Sequence, residues 1–186
     1  MFDKNMPSVR ISGDYENYPH FITHTTIEWL NIFTQEEYFQ IIIDSFKYCQ
    51  KHKGLLLYDY VIMTNHIHHI SDSREGNKLS QIISDFKKHT TREINKLLRK
   101  DNRKYILNIL NNSYYKKKGY KDQIWQRENF PKVIESDDFF EQKISYIYQN
   151  PVKAGYVFKP EDWKYSSARN RYLNDSSIIT VEEYPR

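Results

Sequence analysis

The first half of the chain switches between short apolar runs and an amphipathic helical pattern. Residues 20–27 are rich in β-branched and aromatic side chains, which predicts a strand. Thr34 and Glu37 have the spacing of a capping box, and the apolar residues that follow recur at helical intervals, which predicts a helix over 35–51. The next predicted elements are a strand over 55–63, a turn at 64–65, a strand over 66–70 and a loop over 72–77.

The second half contains one long amphipathic segment and a shorter one. Apolar residues at helical spacing from Leu79 to Leu97 predict a helix over 78–100, and a short helix is predicted near 105–110. Residues 123–126 and 132–135 predict a fourth strand with an extension. Ser136 is a predicted N-cap for a last helix, which should end before Pro151. Beyond Pro160 we expect a turn and extended chain.

These elements follow one another in the order β-α-β-β-α-β-α, which predicts an α+β fold. The arrangement is ferredoxin-like or RRM-like, with an antiparallel sheet, helices packed on one face and a C-terminal extension. The predicted organisation is an N-terminal segment over 1–19, one domain over 20–158 and a tail over 159–186. No apolar run is long enough to span a membrane, and the N-terminus does not resemble a secretory signal, so we expect a cytoplasmic protein.

Charge is concentrated in one segment. The whole chain carries a net charge of +4, but residues 87–121 hold twelve basic and two acidic residues, so this segment carries +10 and the remainder −6. Such a basic region suits a polyanion. The chain also has 16 Tyr, and aromatic rings stack on nucleic-acid bases. The predicted contacts with a DNA backbone are Lys87, Lys88, Arg92, Lys96, Lys116, Lys117, Lys118, Arg127 and Arg169.

The candidate chemistry lies at His66 and His68. Alternate residues of a strand point to the same face of a sheet, so both imidazoles should face one direction, and imidazole is a common ligand of divalent metals. By itself, this spacing also fits two ordinary surface histidines. His69 should face the other side, and we assign it no role.

Several blocks of sequence around these histidines resemble the HUH single-tyrosine transposases, a family that includes the single-strand insertion-sequence enzymes and the REP-associated enzymes. The blocks are the His-hydrophobic-His stretch 61–70, the lysine–threonine helix 84–91, Trp-Gln at 125–126, Tyr-Ile-Tyr-Gln-Asn-Pro-Val-Lys-Ala-Gly at 146–155 and Trp-Lys-Tyr-Ser-Ser-Ala-Arg at 163–169. The resemblance covers residues 20–172.

The resemblance implies that His66 and His68 hold Mg²⁺ or Mn²⁺ and that a tyrosine attacks a DNA phosphodiester. A 5′-phosphotyrosine and a free 3′-hydroxyl would result. The implied substrate is single-stranded DNA with a hairpin, such as an insertion-sequence end or a palindromic repeat. Family members work as homodimers or as monomers, so the resemblance leaves the oligomeric state open.

One position departs from the family pattern. Members often carry the nucleophilic Tyr shortly after Trp-Gln, where this chain has Phe130, which has no hydroxyl. Either another tyrosine is the nucleophile, or the protein binds DNA without cutting it, or Phe130 marks an engineered inactive form. Our candidate for another nucleophile is Tyr146, because Asn150 follows four residues later and could bind the same metal. An RNA-binding domain on the same fold plan is a further alternative.

Overall fold

The computed structural model describes residue 11 and residues 18–119, 122–127 and 131–184. Its centre is a four-stranded antiparallel sheet in the order β2-β3-β1-β4. Because β3 pairs with β2 on one side and β1 on the other, it lies inside the sheet. The strands are β1 His20–Thr25, β2 Leu55–Ile62, β3 His66–Ser73 and β4 Lys132–Val133.

Two long helices, α1 Glu36–His52 and α2 Leu79–Lys100, cover one face of the sheet. Their apolar stripes pack with Ile22, Tyr60 and Ile67 in the larger of two buried clusters. The short helices α3 Lys104–Asn112 and α4 Tyr114–Lys117 follow α2. The main core therefore lies on this face of the sheet, and α3 and α4 continue the chain beyond the end of α2.

The other face of the sheet is covered by α5 Asp137–Lys153. Phe140 and Ile147 of α5 pack with Phe21, Val61 and Ile70 in a second buried cluster. The predicted α+β class with an antiparallel sheet is confirmed, but the prediction that the helices share one face is wrong. Strands with apolar side chains on both faces need a cover on both.

The chain after α5 packs along the outer edge of β2. The Ile62 amide donates to the Tyr165 carbonyl at 2.9 Å, and the Tyr60 amide donates to Ser167 Oγ at 2.8 Å. This segment contains a 3-10 turn at Pro160–Asp162 and the helix α6 Ala168–Leu173, where we predicted a turn and extended chain. The predicted tail is thus packed into the same body as the sheet.

Several other predicted boundaries differ from the structure. α5 continues through Pro151 because the amides that follow still find acceptors, as when Ala154 N–H donates to the Asn150 carbonyl at 3.0 Å. Residues 123–126 contribute one bridge, between Trp125 and Thr26, in place of a strand. β3 extends to Ser73, into the predicted loop. The predicted N-cap is confirmed, since Ser136 Oγ accepts from the Phe139 amide.

Within the ranges that the structure describes, no helix is both long enough and apolar enough to cross a bilayer.

Candidate active site between β3 and α5

Strand alternation places His66 and His68 of β3 on the face that α5 covers. In α5, Tyr146 and Asn150 are separated by four residues and therefore lie one turn apart on the same side of the helix. Asn150 contacts His66, and Tyr146 contacts His68. The fold thus brings together two pairs of residues that are about eighty positions apart in the chain.

Both ring nitrogens of His66 face amide oxygens. Its Nδ1 lies 2.7 Å from Asn65 Oδ1 and its Nε2 lies 3.2 Å from Asn150 Oδ1. An amide oxygen only accepts hydrogen bonds and a neutral imidazole has one N–H, so a neutral His66 donates to one of these two oxygens. The shorter distance favours donation from Nδ1 to Asn65, which leaves the lone pair on Nε2. That lone pair faces the oxygen of Asn150. Burial lowers the pKa of His66 and opposes the doubly protonated ring that could donate to both oxygens.

His68 lies deeper, with 5% of its surface exposed. Thr23 Oγ1 on β1 lies 2.8 Å from its Nδ1, and the Phe21 ring stacks on it with centroids 5.3 Å apart. Burial, with a smaller effect from the neighbouring His66, lowers the pKa of His68 to about 3. The ring is therefore neutral at pH 7, which is the form that binds a metal.

Tyr146 lies at the outer side of this pair. Its ring meets the His68 ring edge-on, with centroids 5.0 Å apart, and 44% of the residue is exposed. Lys143, one turn earlier in α5, holds its ammonium 6.0 Å from the centre of the Tyr146 ring and 5.2 Å from that of Phe21. A phosphodiester can approach Tyr146 from solvent and meet the positive charge of Lys143 there.

The donor set fits a divalent cation. On both histidines an oxygen neighbour holds Nδ1, which is the usual arrangement around metal-binding imidazoles and leaves Nε2 for the ion. His66 Nε2 and the Asn150 oxygen lie 3.2 Å apart, and a cation bound between them would be attracted to both atoms. Among the described residues, no group of three or more His, Cys, Asp or Glu side chains could hold a metal, and the side-chain oxygen that lies beside His66 is that of the Asn150 amide.

A family model described as "Transposase IS200 like" matches residues 15–118, which is more than half of the chain. The chain belongs to the IS200-like transposase family. A protein from Haemophilus influenzae named as a REP-associated tyrosine transposase is 35% identical over 107 residues, which is 57% of this chain and 54% of that protein. The chain thus spans about half the length of this curated relative, and the predicted family membership is confirmed.

One solved structure shares this fold over nearly the whole chain. A REP-associated tyrosine transposase bound to a REP hairpin aligns over 97% of this chain and 94% of its own, with a TM-score of 0.64 and 20% identity. At that identity the likeness establishes a shared fold. A transposase-like protein from Deinococcus radiodurans aligns over 75% of this chain and 95% of its own, with a TM-score of 0.45 and 12% identity.

In this IS200-like chain, three of the predicted DNA contacts are exposed, but on the face away from the histidines. Lys88, Arg92 and Lys96 are exposed on α2, and α2 packs on the opposite side of the sheet from α5. Arg92 also pairs with Glu93 at 2.9 Å. DNA contacts by these three residues stay a prediction, and DNA that used them would have to pass around an edge of the sheet to reach Tyr146.

Lys87 lies inside the protein and does not face solvent. Its side chain is completely buried, and its ammonium donates to the Gln126 carbonyl at 2.9 Å. Burial, followed by the charge of Arg127, lowers the pKa of Lys87 to about 7. The prediction of a DNA contact at Lys87 is wrong, because this ammonium joins α2 to the segment after α4 inside the molecule.

Arg169 is also engaged within the protein. Its guanidinium donates to Asp175 Oδ2 at 2.7 Å and to the Glu161 carbonyl at 3.1 Å, which ties α6 to its flanking turns. These contacts hold the Arg169 guanidinium within the protein, and a DNA contact at Arg169 stays a prediction. Arg127 is half-buried near Lys87. Lys116 and Lys117 end α4, and Lys118 follows in a turn.

Phe130 lies outside the described residues, so its relation to the histidines stays open. Sequence reasoning missed Thr23, Asn65 and Lys143. Asn65 and Lys143 had a local signal, since one precedes His66 and the other lies one helical turn before Tyr146. Thr23 had none, because only the pairing of β1 with β3 places it opposite His68.

Proposed function

We propose that this protein nicks and rejoins single-stranded DNA beside a hairpin, through a covalent bond between the DNA and Tyr146. The observation that carries the proposal is the double contact of α5 with β3, in which Tyr146 packs on His68 and Asn150 faces His66. Membership of a transposase family supports the reaction class. The hairpin part rests on the structural neighbour, which was solved with a REP hairpin.

In the proposed reaction, Tyr146 Oη attacks the phosphorus of one phosphodiester. A bond forms between Oη and phosphorus while the bond to the 3′-oxygen breaks, and the phenol proton is transferred, directly or through water, to that oxygen. The products are a 5′-phosphotyrosine and a free 3′-hydroxyl. The reverse attack by a 3′-hydroxyl rejoins a strand, and the covalent bond conserves the energy needed for this step.

The residues around Tyr146 support this role. His68 and Phe21 hold the tyrosine ring from the sheet side, which restricts the ring and orients the hydroxyl. The Lys143 ammonium adds positive charge where the phosphodiester must approach. A tyrosine at position 130 is not needed for this arrangement, so we infer that Tyr146 is the nucleophile in this chain.

The metal site is part of the same proposal. His66, His68 and Asn150 would hold Mg²⁺ or Mn²⁺, which when bound supplies Lewis-acid polarisation of the phosphodiester oxygens. Asn65 and Thr23 keep the two rings in orientations that leave Nε2 for the ion. The buried, neutral state of His68 serves this purpose over the whole physiological pH range.

The test uses a labelled library of hairpin oligonucleotides with randomised single-stranded flanks, incubated with Mn²⁺ and the full chain. We expect a covalent band on a denaturing gel for the natural sequence and none for Tyr146→Phe. Tyr48→Phe is the matched control, because Tyr48 is an exposed tyrosine of α1 on the other face of the sheet. It should form the band normally.

A band that persists in Tyr146→Phe would refute Tyr146 as the nucleophile. Hairpin binding by the natural sequence without a covalent band would favour a binding protein that does not cut. Equal or tighter binding of the corresponding RNA hairpins would favour the RNA-binding alternative.

A further inference from the structure

An open cavity of about 490 Å³ lies beside the candidate active site and is lined by residues outside that site. Its walls come from the 3-10 turn Ile27–Trp29 that follows β1 and from the start of α3. Its lining includes Glu28, Trp29, Arg103, Lys104 and Tyr105. The cavity is large enough for a nucleotide and combines two aromatic rings with two positive charges.

The cavity is joined to the histidine site by short contacts. The Trp29 ring meets the His66 ring edge-on, with centroids 6.0 Å apart. The side chain of Asn65 bridges the two places, because its Nδ2 donates to the Trp29 carbonyl at 3.3 Å and its Oδ1 accepts from His66 Nδ1 at 2.7 Å. A group bound on Trp29 would therefore lie next to a phosphodiester held at His66.

Both aromatic rings of the cavity are exposed. Trp29 is 59% exposed and Tyr105 is 76% exposed, although burial of such a ring is normally favourable. The backbone also holds Trp29 in an unusual state, since Glu28 and Trp29 both have φ of 53°, in the left-handed region that non-glycine residues rarely adopt. The fold thus maintains a strained turn that presents a tryptophan to solvent.

The cations of the cavity are placed for phosphate. The Arg103 guanidinium is held by Thr34 Oγ1 at 3.3 Å and lies 5.5 Å from the centre of the Tyr38 ring, which fixes it at the cavity wall. Lys104 begins α3 beside it. Glu28 supplies a carboxylate that can accept from an amino group of a base.

We propose that this cavity binds one unpaired nucleotide of the DNA strand adjacent to the phosphodiester that Tyr146 attacks. Its base stacks on Trp29, with Tyr105 as the second ring, and its phosphate is bound by Arg103 and Lys104. The inference rests on the proposed function, because it names the subsite that holds the strand beside the cleaved bond. It also explains why a strained turn keeps an aromatic ring exposed next to His66.

The test measures binding of fluorescein-labelled (dT)12 by anisotropy at fixed salt in EDTA, so that no cleavage occurs. Base–aromatic stacking is worth about 1–3 kcal/mol, so Trp29→Ala should weaken the affinity by about five- to 150-fold. Trp29→Phe should retain most of the affinity. Tyr48→Ala, which removes a similarly exposed ring from α1, should leave it unchanged.

Two further measurements separate a lost subsite from a damaged fold. Trp29→Gly removes the ring and also suits the left-handed backbone, so it should lose (dT)12 affinity without losing thermal stability. A (dT)12 strand carrying 2-aminopurine at successive positions should be quenched at one position by the natural protein and by Trp29→Phe. It should not be quenched there by Trp29→Gly.

Unchanged (dT)12 affinity in Trp29→Ala and Trp29→Gly would overturn the subsite, and so would a natural protein that binds (dT)12 no better than Trp29→Gly. If the covalent band at Tyr146 still forms in that case, the proposed function stands without the subsite. If no covalent band forms but the affinity depends on Trp29, the subsite stands and the cleavage proposal fails.

Discussion

Replacement of Lys87 by methionine should change how the stability of this protein depends on pH. The ammonium of Lys87 is completely buried, and its pKa in the folded protein is about 7 against an ordinary value of 10.5. Between these two values the unfolded chain binds a proton that the folded protein releases. The free energy of unfolding contributed by Lys87 therefore rises with pH across this window.

The magnitude follows from the linkage relation. Each pH unit inside the window is worth about 1.4 kcal/mol, so from pH 7 to pH 9 the natural protein should gain roughly 2–3 kcal/mol relative to Lys87→Met. Below pH 7 the difference in unfolding free energy between the two proteins should become constant, because Lys87 then carries its proton in both the folded and the unfolded state. Urea unfolding of both proteins at half-unit pH intervals measures the gap directly, provided that the m-values agree.

Lys88→Met is the matched control, since Lys88 is the next residue of α2 and is exposed. The difference in unfolding free energy between Lys88→Met and the natural protein should not change over pH 7–9. DNA affinity gives a second contrast, because loss of an exposed Lys88 should weaken binding to a hairpin while loss of the buried Lys87 should not. A stability gap that is flat for Lys87→Met would refute the argument that a buried ammonium at this place loses its proton near pH 7.

Two other predictions concern α5 and its neighbours. Asn150→Ala should lower the affinity for Mn²⁺ by at least tenfold in calorimetric titration, because it removes an oxygen ligand. Gln149→Ala is the control and should leave this affinity unchanged. Equal affinities of the two variants would exclude Asn150 from the metal site. Asp59→Ala should cost about 3–5 kcal/mol in urea unfolding, because the fully buried Asp59 accepts from Tyr148 at 2.6 Å and pairs with Arg171 at 3.3 Å; a loss below 1 kcal/mol would contradict this network.

Local patterns predict the two long helices well, and they fail where the ends of other elements depend on their surroundings. The spacing of apolar residues predicts α1 and α2 to within one residue at each end. It fails at Pro151, where the helix tolerates one missing hydrogen bond because the turn beyond it is satisfied. The prediction of a strand also fails at residues 123–126. This segment of high β propensity forms a single bridge to Thr26 and no longer ladder with the sheet.

The residues of the candidate site can be recognised in the sequence, but their meeting in space cannot. His66 and His68 are recognisable in the sequence, because a two-residue period fixes their common face. Tyr146 and Asn150 are recognisable as one face of a helix. That these two faces meet depends on α5 crossing the sheet on the side away from α1 and α2, which no local pattern states. The same limit applies to Lys87 and Arg169, whose charge is visible in the sequence while their partners Gln126 and Asp175 are not.

The sequence by itself determines the family, the α+β class, the paired histidines and the concentration of positive charge, because each depends on residue types and on spacing along a single element. The tertiary structure alone decides which tyrosine lies at the histidines, which lysine is buried and that the strained Trp29 borders the site. Those facts depend on the packing of segments distant in the chain, where burial, paired charges and shared hydrogen bonds override what each segment favours alone.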